Sequence, residues 1–110
     1  MTLLEQMARQ RFESREQLRL ETLQQLREAI GHTLPGQRVV VFGSLLKTGK
    51  FTEDSDIDLA IESELRGITI YQLISILSEQ MGRPVDVMLL GECRFKDKVL
   101  KEGQLWTLPD

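Results

Sequence analysis

Two carboxylates spaced two residues apart are the feature of this sequence best suited to chemistry. Asp56 and Asp58 open the segment from Asp56 to Glu62, whose alternation of polar and apolar residues predicts a β-strand. Because successive strand side chains point to opposite faces, the two carboxylates are expected on one face. Carboxylates arranged in this way bind Mg²⁺ when the ion also contacts substrate phosphates.

A Gly-Ser turn precedes these carboxylates. Gly43 and Ser44 follow an apolar run, Arg38 to Phe42, that predicts a strand buried on both faces. Glycine lets the backbone approach a phosphate closely, and backbone N–H groups at a turn bind its oxygens. Lys47 and Lys50 are candidate phosphate contacts, although loop lysines are more often only solvated. With the paired carboxylates, the turn indicates nucleotidyl transfer.

A third carboxylate, Asp86, interrupts the apolar strand predicted from Val85 to Leu90. A buried carboxylate is costly unless it is paired or binds a metal; the alternative is an aspartate exposed at a strand edge. If this strand lies beside the segment from 56 to 62, Asp86 joins Asp56 and Asp58. Three carboxylates can hold two Mg²⁺ ions about 3.5–4 Å apart, and Asp86 would act as ligand or base.

The remaining elements must position these residues. Residues 2–31 predict a long helix that ends at Gly31. Its second half is expected to pack on the core through Leu20, Leu23, Leu26 and Ile30. The other predicted elements are a short helical turn at 44–49, an amphipathic helix at 69–81, a last helix at 95–102, and a C-terminal Leu105–Trp106 segment that packs back.

The first half of the long helix has an apolar stripe without an evident partner in the chain. Residues 13–17 interrupt the stripe, so the first turns either project or pack along their length. A projecting end would expose apolar surface, which usually marks a partner site. The residues concerned are Leu3, Leu4, Met7 and Phe12. The catalytic residues are expected to lie at a distance from residues 1–12.

Composition narrows the classes of function. The 110 residues carry a net charge of −3, so there is no basic excess for coating nucleic acid, and no direct nucleic-acid binding is expected. Cys93 is the sole cysteine, which excludes an intrachain disulfide and fits a reducing cytoplasm. The sequence shows no signal-peptide pattern and no apolar run near the ~20 residues that span a bilayer. A cytoplasmic protein away from membranes is expected.

The order of these motifs resembles the minimal nucleotidyltransferase (MNT) proteins of the DNA polymerase beta-like superfamily. The segments that carry the resemblance are Val41–Ser44, Asp54–Ile61, Pro84–Val87 and Phe95–Gly103. It extends over about residues 20–106. It implies an α/β (α+β) nucleotidyltransferase fold, in which helices flank a small mixed β-sheet, with a long N-terminal helix, in a single domain spanning residues 1–110.

The resemblance also implies a site and a donor. Asp56, Asp58 and Asp86 match the metal triad, so they are the expected catalytic and metal-binding residues around two Mg²⁺ ions. ATP is the expected donor substrate. The expected nucleotide-binding residues are Gly43, Ser44 and Lys47.

Many MNT proteins are encoded beside a HEPN-domain RNase toxin and act as its antitoxin, in some cases by transferring AMP to a tyrosine. The resemblance therefore implies a protein adenylyltransferase with a HEPN partner. Two alternatives stay open: an inactive or weak antitoxin that neutralises by binding alone, and a subunit that modifies a small hydroxyl compound. Larger relatives carry an extra domain for the acceptor and these 110 residues show none, so a partner or a second copy is expected to supply that surface.

The sequence departs from the family pattern after the Gly-Ser turn. Eleven residues separate Ser44 from Asp56, one more than usual. The usual arginine-rich stretch is replaced by Leu45–Gly49. The longer loop can take up one residue, but the arginine contacts to phosphate are lost.

Overall fold

The computed structural model describes residues 1–109, which contain three α-helices and four strands. The helices are α1 (Leu3–Thr33), α2 (Ile70–Met81) and α3 (Lys96–Glu102). The strands are β1 (Arg38–Phe42), β2 (Ile57–Ile61), β3 (Val85–Leu89) and β4 (Gln104–Thr107). A 3₁₀ turn at Gly43–Leu46 follows β1. Within residues 1–109, each helix is too short or too polar to cross a bilayer.

Helix α1 begins where a cap is available and ends later than the sequence predicts. The Thr2 side chain accepts a hydrogen bond from the Glu5 N–H (3.1 Å), which satisfies a free donor of the first turn. The predicted end at Gly31 is wrong, because the helix continues to Thr33. Gly31 is buried, and a Cβ there would lie 3.2 Å from the Pro109 carbonyl oxygen. Its small size therefore serves packing rather than termination.

The second half of α1 packs on the sheet. Leu26 and Ile30 are fully buried, as predicted. Leu20, which was expected beside them, is 57% exposed. The buried stripe passes through Thr22 instead, whose hydroxyl donates to the Leu18 carbonyl (2.7 Å). That bond satisfies the buried hydroxyl, so a threonine is tolerated where the pattern suggested only leucines.

The strands form one mixed sheet in the order β3-β2-β1-β4. β1 pairs antiparallel with β2 and β4, whereas β2 and β3 run parallel. Parallel neighbours need a crossover, which α2 supplies. β4 contains the predicted C-terminal segment, which joins the sheet as a strand and places Trp106 opposite Val39. The predicted fold, a small mixed sheet flanked by helices with a long N-terminal helix, is confirmed.

Different helices cover the two faces of the sheet. Helices α1 and α2 contribute to the larger core cluster, with the strand residues Val39, Val41, Ile57, Leu59, Ile61, Val85 and Val87. On the opposite face, Val99 of α3 packs with Val40 and Ala60. Asp58 and Asp86 continue this second face, where Asp58 is half-buried and Asp86 is exposed. Because α3 is short, it covers only part of this face and leaves open the end that carries Asp58 and Asp86.

The first half of α1 projects from the sheet. Residues 1–15 are all exposed, and the molecule measures 55 × 28 × 22 Å. Leu3 and Leu4 are 71% and 75% exposed. Of the two alternatives from the sequence, projection is therefore correct for the first turns. Phe12 is an exception within this half, because its ring lies against Gly49.

Candidate active site

Two of the predicted carboxylates are brought together by strand pairing. Asp58 lies directly opposite Asp86 in the parallel register of β2 and β3. Neighbouring strands are about 4.8 Å apart, so the two side chains share one face at short range. Asp56 precedes β2, which begins at Ile57. Its predicted place as the first strand residue is wrong, and its exposed side chain is not fixed by the sheet.

The surroundings of Asp58 disfavour its charged form. Burial raises its pKa, and the negative charges of Asp86 and Asp56 raise the pKa further. Between residues 1 and 109, the ion pairs of the structure include none of these carboxylates. A cluster of carboxylates without an ion-pair partner favours a bound divalent cation, because the cation reduces the repulsion.

The three aspartates offer the oxygen ligands that Mg²⁺ prefers, although their side chains do not form a ready-made metal site. In the described part of the chain, no three His, Cys, Asp or Glu side chains are arranged to hold a metal ion as they stand. Mg²⁺ is usually held by one or two carboxylates together with waters and substrate phosphates. Asp58 and Asp86 would supply carboxylates held by the strand pairing, and Asp56 lies two residues before Asp58. A bound ion would neutralise phosphate charge and polarise the attacking hydroxyl.

The Gly-Ser turn lies directly against this cluster. β1 pairs with β2 so that Phe42 is opposite Asp58, and Gly43 follows with a φ of 83°. That left-handed conformation favours glycine. A Cβ on Gly43 would also overlap Asp58 Oδ2. The backbone of the turn and the central carboxylate are therefore in contact, and no larger residue fits between them.

Ser44 lies on the 3₁₀ turn that follows, and Lys47 comes directly after it. The Ser44 carbonyl accepts from the Lys47 N–H (3.0 Å), which closes the turn. Leu45 is fully buried and Leu46 packs against the core, so the segment is anchored by apolar contacts. Lys47 is exposed. The backbone at Ser44 and Lys47 is thus anchored by the buried leucines and by this hydrogen bond.

A pocket of about 280 Å³ adjoins the turn. Gly43, Lys47 and Asp58 line it, whereas Ser44, Asp56 and Asp86 lie outside its lining. The α3 side of the pocket consists of Cys93, Phe95, Lys98, Val99 and Glu102. The volume is just below the range of about 300–1,000 Å³ typical of small-ligand pockets. A nucleotide there would be only partly enclosed.

The sequence pattern did not assign α3 a role in this pocket. Phe95, Lys98 and Glu102 follow one another at spacings of three and four residues, which places them on one face of a helix. Val99 belongs to the same face and is buried on the sheet. The periodicity was therefore an available signal, but it becomes meaningful only once Val99 shows which way the helix faces.

A larger cleft, of about 530 Å³, lies between α1 and the loop before β2. Arg11 and Arg15 line one side, and Thr52, Glu53 and Asp54 line the other. It contains neither the Gly-Ser turn nor the facing pair of aspartates. The smaller pocket is therefore the better candidate for catalysis, despite its size.

Arg83 fixes the loop that leads to Asp56, which the sequence pattern did not indicate. Its Nη1 donates to the carbonyls of Thr52 (3.2 Å) and Ser55 (2.9 Å). Its guanidinium lies 4.6 Å from the centre of the buried Phe51 ring. These contacts join residues about thirty apart, so local sequence patterns do not reveal them. These contacts hold the backbone of the loop in place, and this limits the positions from which Asp56 can reach the site.

Comparison with known proteins identifies the domain type. A family model described as "Nucleotidyltransferase domain" matches residues 23–105, a span that contains all the candidate site residues. A solved chain described as "Crystal structure of the toxin-antitoxin with AMP-PNP" is 24% identical, with a TM-score of 0.58, over 76% of this chain and 71% of that chain. At that identity the likeness shows a shared fold. No curated protein matches.

Proposed function

The chain belongs to the nucleotidyltransferase domain family, and on that premise we propose that it transfers AMP from ATP to a hydroxyl group in a Mg²⁺-dependent reaction. The observation that carries the proposal is the contact between the Gly43 turn and Asp58, which itself faces Asp86. Phosphate-binding backbone and metal-binding carboxylates are thereby adjacent. The acceptor oxygen forms a bond to the α-phosphorus, the bond to the bridging oxygen breaks, and pyrophosphate leaves.

Each site residue has a role in this proposal. The Gly43 backbone and Ser44 bind the outer phosphates, and Lys47 offsets part of their charge. Two Mg²⁺ ions would be held by Asp56, Asp58 and Asp86. Asp86, the more exposed of the facing pair, would also accept the proton of the acceptor hydroxyl. The remaining catalytic effect comes from alignment of the reacting groups.

The proposed acceptor is a tyrosine of a HEPN-type RNase toxin, so that this chain acts as an antitoxin. Three observations support this choice: the resemblance to MNT proteins, the solved relative described as a toxin–antitoxin with AMP-PNP, and the exposed apolar end of α1. A nucleotide in the 280 Å³ pocket would be only partly enclosed. A macromolecular acceptor would then cover its exposed side and complete the site.

An antitoxin that neutralises by binding alone is the second candidate, favoured by one feature of the turn. Leu45 is fully buried and Leu46 is partly buried. In the MNT proteins that the chain resembles, this stretch usually contains arginines. The cations on this stretch and its flank are Lys47 and Lys50, and Lys98 lines the same pocket as Lys47. Weak triphosphate binding would follow, and neutralisation would then depend on the interface.

Incubation of the purified toxin with this chain and α-³²P-labelled ATP separates the candidates. Label on the toxin, with loss of its RNase activity, is the result expected for AMP transfer. Loss of RNase activity without label would assign the protein to the binding-only class. Label on a small hydroxyl compound, in the absence of the toxin, would assign it to the third class.

The exposed end of α1 is expected to contribute to the complex. Leu3→Asp together with Leu4→Asp should weaken toxin binding at least about tenfold, because two exposed apolar side chains become charged. Leu20→Asp is the matched control, since Leu20 is an exposed leucine on the same helix. Biolayer interferometry measures both affinities. If the partner is a second copy of the chain, the double variant should instead become monomeric in sedimentation.

Equal toxin binding by the double variant and the wild-type chain, with oligomeric state also unchanged, would place the interface elsewhere. Substitution is preferable to removal of residues 1–12. That segment includes Phe12, whose ring lies against Gly49. Removal of Phe12 would disturb the segment after the Gly-Ser turn as well as the proposed interface.

A further inference from the structure

The middle of α1 is hydrogen-bonded to the segment that follows the Gly-Ser turn. Glu16 Oε2 accepts from the Gly49 N–H at 2.9 Å, and Arg19 Nη1 donates to the Leu45 carbonyl at 3.2 Å. Arg19 Nε and Nη2 each lie 2.9 Å from an oxygen of the Glu16 carboxylate. This bidentate geometry is the strong form of an arginine–carboxylate pair.

The pair is shielded, unlike its neighbour on the same helix. The side chains of Arg19 and Glu16 are 13% and 19% exposed, whereas those of Arg9 and Glu13 are 66% and 62% exposed. The bond from Arg19 lowers the pKa of Glu16, and the bond from the Gly49 N–H lowers the pKa further. Glu16 is therefore a carboxylate at neutral pH, held by partners on two elements.

These contacts bracket the segment that carries Lys47. Leu45 and Gly49 lie at its two ends, and the Leu45 side chain is fully buried. Gly49 has a φ of 76°, and a Cβ there would lie 2.9 Å from Phe12 Cε2. Helix α1 thus holds the segment at three points: a carbonyl, an N–H and a ring contact. Gly43 and Ser44 come immediately before it, so their position depends on the same contacts.

We propose that Glu16 and Arg19 are positioning residues of the nucleotide site. They hold residues 43–49 in the conformation that receives the outer phosphates, so that less ordering is needed when a nucleotide binds. Both precede residues 23–105, so the family match does not include them. This inference rests on the proposed function for the identity of the ligand, and it adds α1 to the site.

Amide hydrogen exchange and calorimetry test the inference on matched variants of the full chain. Glu16→Ala should raise the exchange rate of the Gly49 amide at least about tenfold and weaken Mg²⁺-ATP binding roughly three- to tenfold. Glu13→Ala, on the same helix but outside this contact, should match the wild-type chain in both. Glu16→Gln keeps an acceptor for the Gly49 N–H, so its losses should be smaller.

Arg19→Lys keeps the charge without the bidentate geometry, so it provides a second variant if Glu16→Ala unfolds; an intermediate loss of affinity is expected. Wild-type exchange at Gly49 in Glu16→Ala would overturn the inference. So would nucleotide affinity equal to that of Glu13→Ala. Either outcome, with normal ATP binding by the wild-type chain, rejects the inference alone. Absence of ATP binding by the wild-type chain, both alone and in its complex with the toxin, rejects the proposed function, and the inference with it.

Discussion

Replacement of Asp56 and Asp58 by asparagine should abolish AMP transfer while the protein stays folded. Asparagine keeps the shape of the side chain but removes the negative charges that bind the cation. Loss of these charges at a phosphoryl-transfer site is expected to lower the rate by roughly a thousandfold or more. Transfer of label from α-³²P-labelled ATP to the toxin measures the effect. Asp54→Asn, an exposed neighbour in the preceding loop, is the control and should keep activity.

The same variant should unfold at or above the wild-type temperature. Burial, then Asp86 and Asp56, raises the pKa of Asp58, so its charged form is disfavoured in the folded state. The associated stability is present at low pH and is lost as pH rises from about 4 through the raised pKa. Asparagine at position 58 carries no charge, so the variant does not lose this stability at neutral pH. Unfolding of the double variant would instead assign these residues a structural role, and undiminished label would exclude their catalytic role.

Gly43→Ala should weaken Mg²⁺-ATP binding at least about tenfold and lower the unfolding temperature. The φ of 83° costs a residue with a Cβ about 1–2 kcal/mol. The added methyl group would also overlap Asp58 Oδ2, so the carboxylate must rotate or move away from the turn. That movement breaks the arrangement on which nucleotide binding depends. Calorimetry and thermal unfolding measure the two effects.

Gly67→Ala separates the two causes. Gly67 has a similar φ of 77°, but a Cβ there has no neighbour within 4 Å. The control should therefore show the backbone cost alone, with normal nucleotide binding. If Gly43→Ala binds nucleotide as tightly as Gly67→Ala, the close contact with Asp58 does not serve the site.

The sequence predicts the parts of this fold that depend on local periodicity and motif order. The apolar run of β1 and the alternation in β3 correctly indicated strands, and the parallel pairing with β2 places Asp86 opposite Asp58. The four-residue strand β4 was predicted only as a packed segment, because its strand character comes from pairing with β1. Leu20 was placed wrongly because a satisfied Thr22 hydroxyl is tolerated in the buried stripe.

The contacts that hold the site were beyond local reasoning. Glu16 and Arg83 bind backbone groups about thirty residues away, and each looks like an ordinary surface charge in the sequence. Their partners are loop peptides, which carry no side-chain signature. The direction of Lys98 likewise depends on how α3 packs through Val99. Such residues become recognisable only when the chain is folded.

Titration calorimetry with ATP, in the presence and absence of Mg²⁺, tests most directly the central claim that the Gly43 turn and the facing aspartates form a nucleotide site. The wild-type chain should bind ATP only when Mg²⁺ is present, and the variant with Asp56→Asn and Asp58→Asn should lose that binding. Absence of binding at millimolar ATP and Mg²⁺, both by the isolated chain and by its complex with the toxin, would contradict the claim.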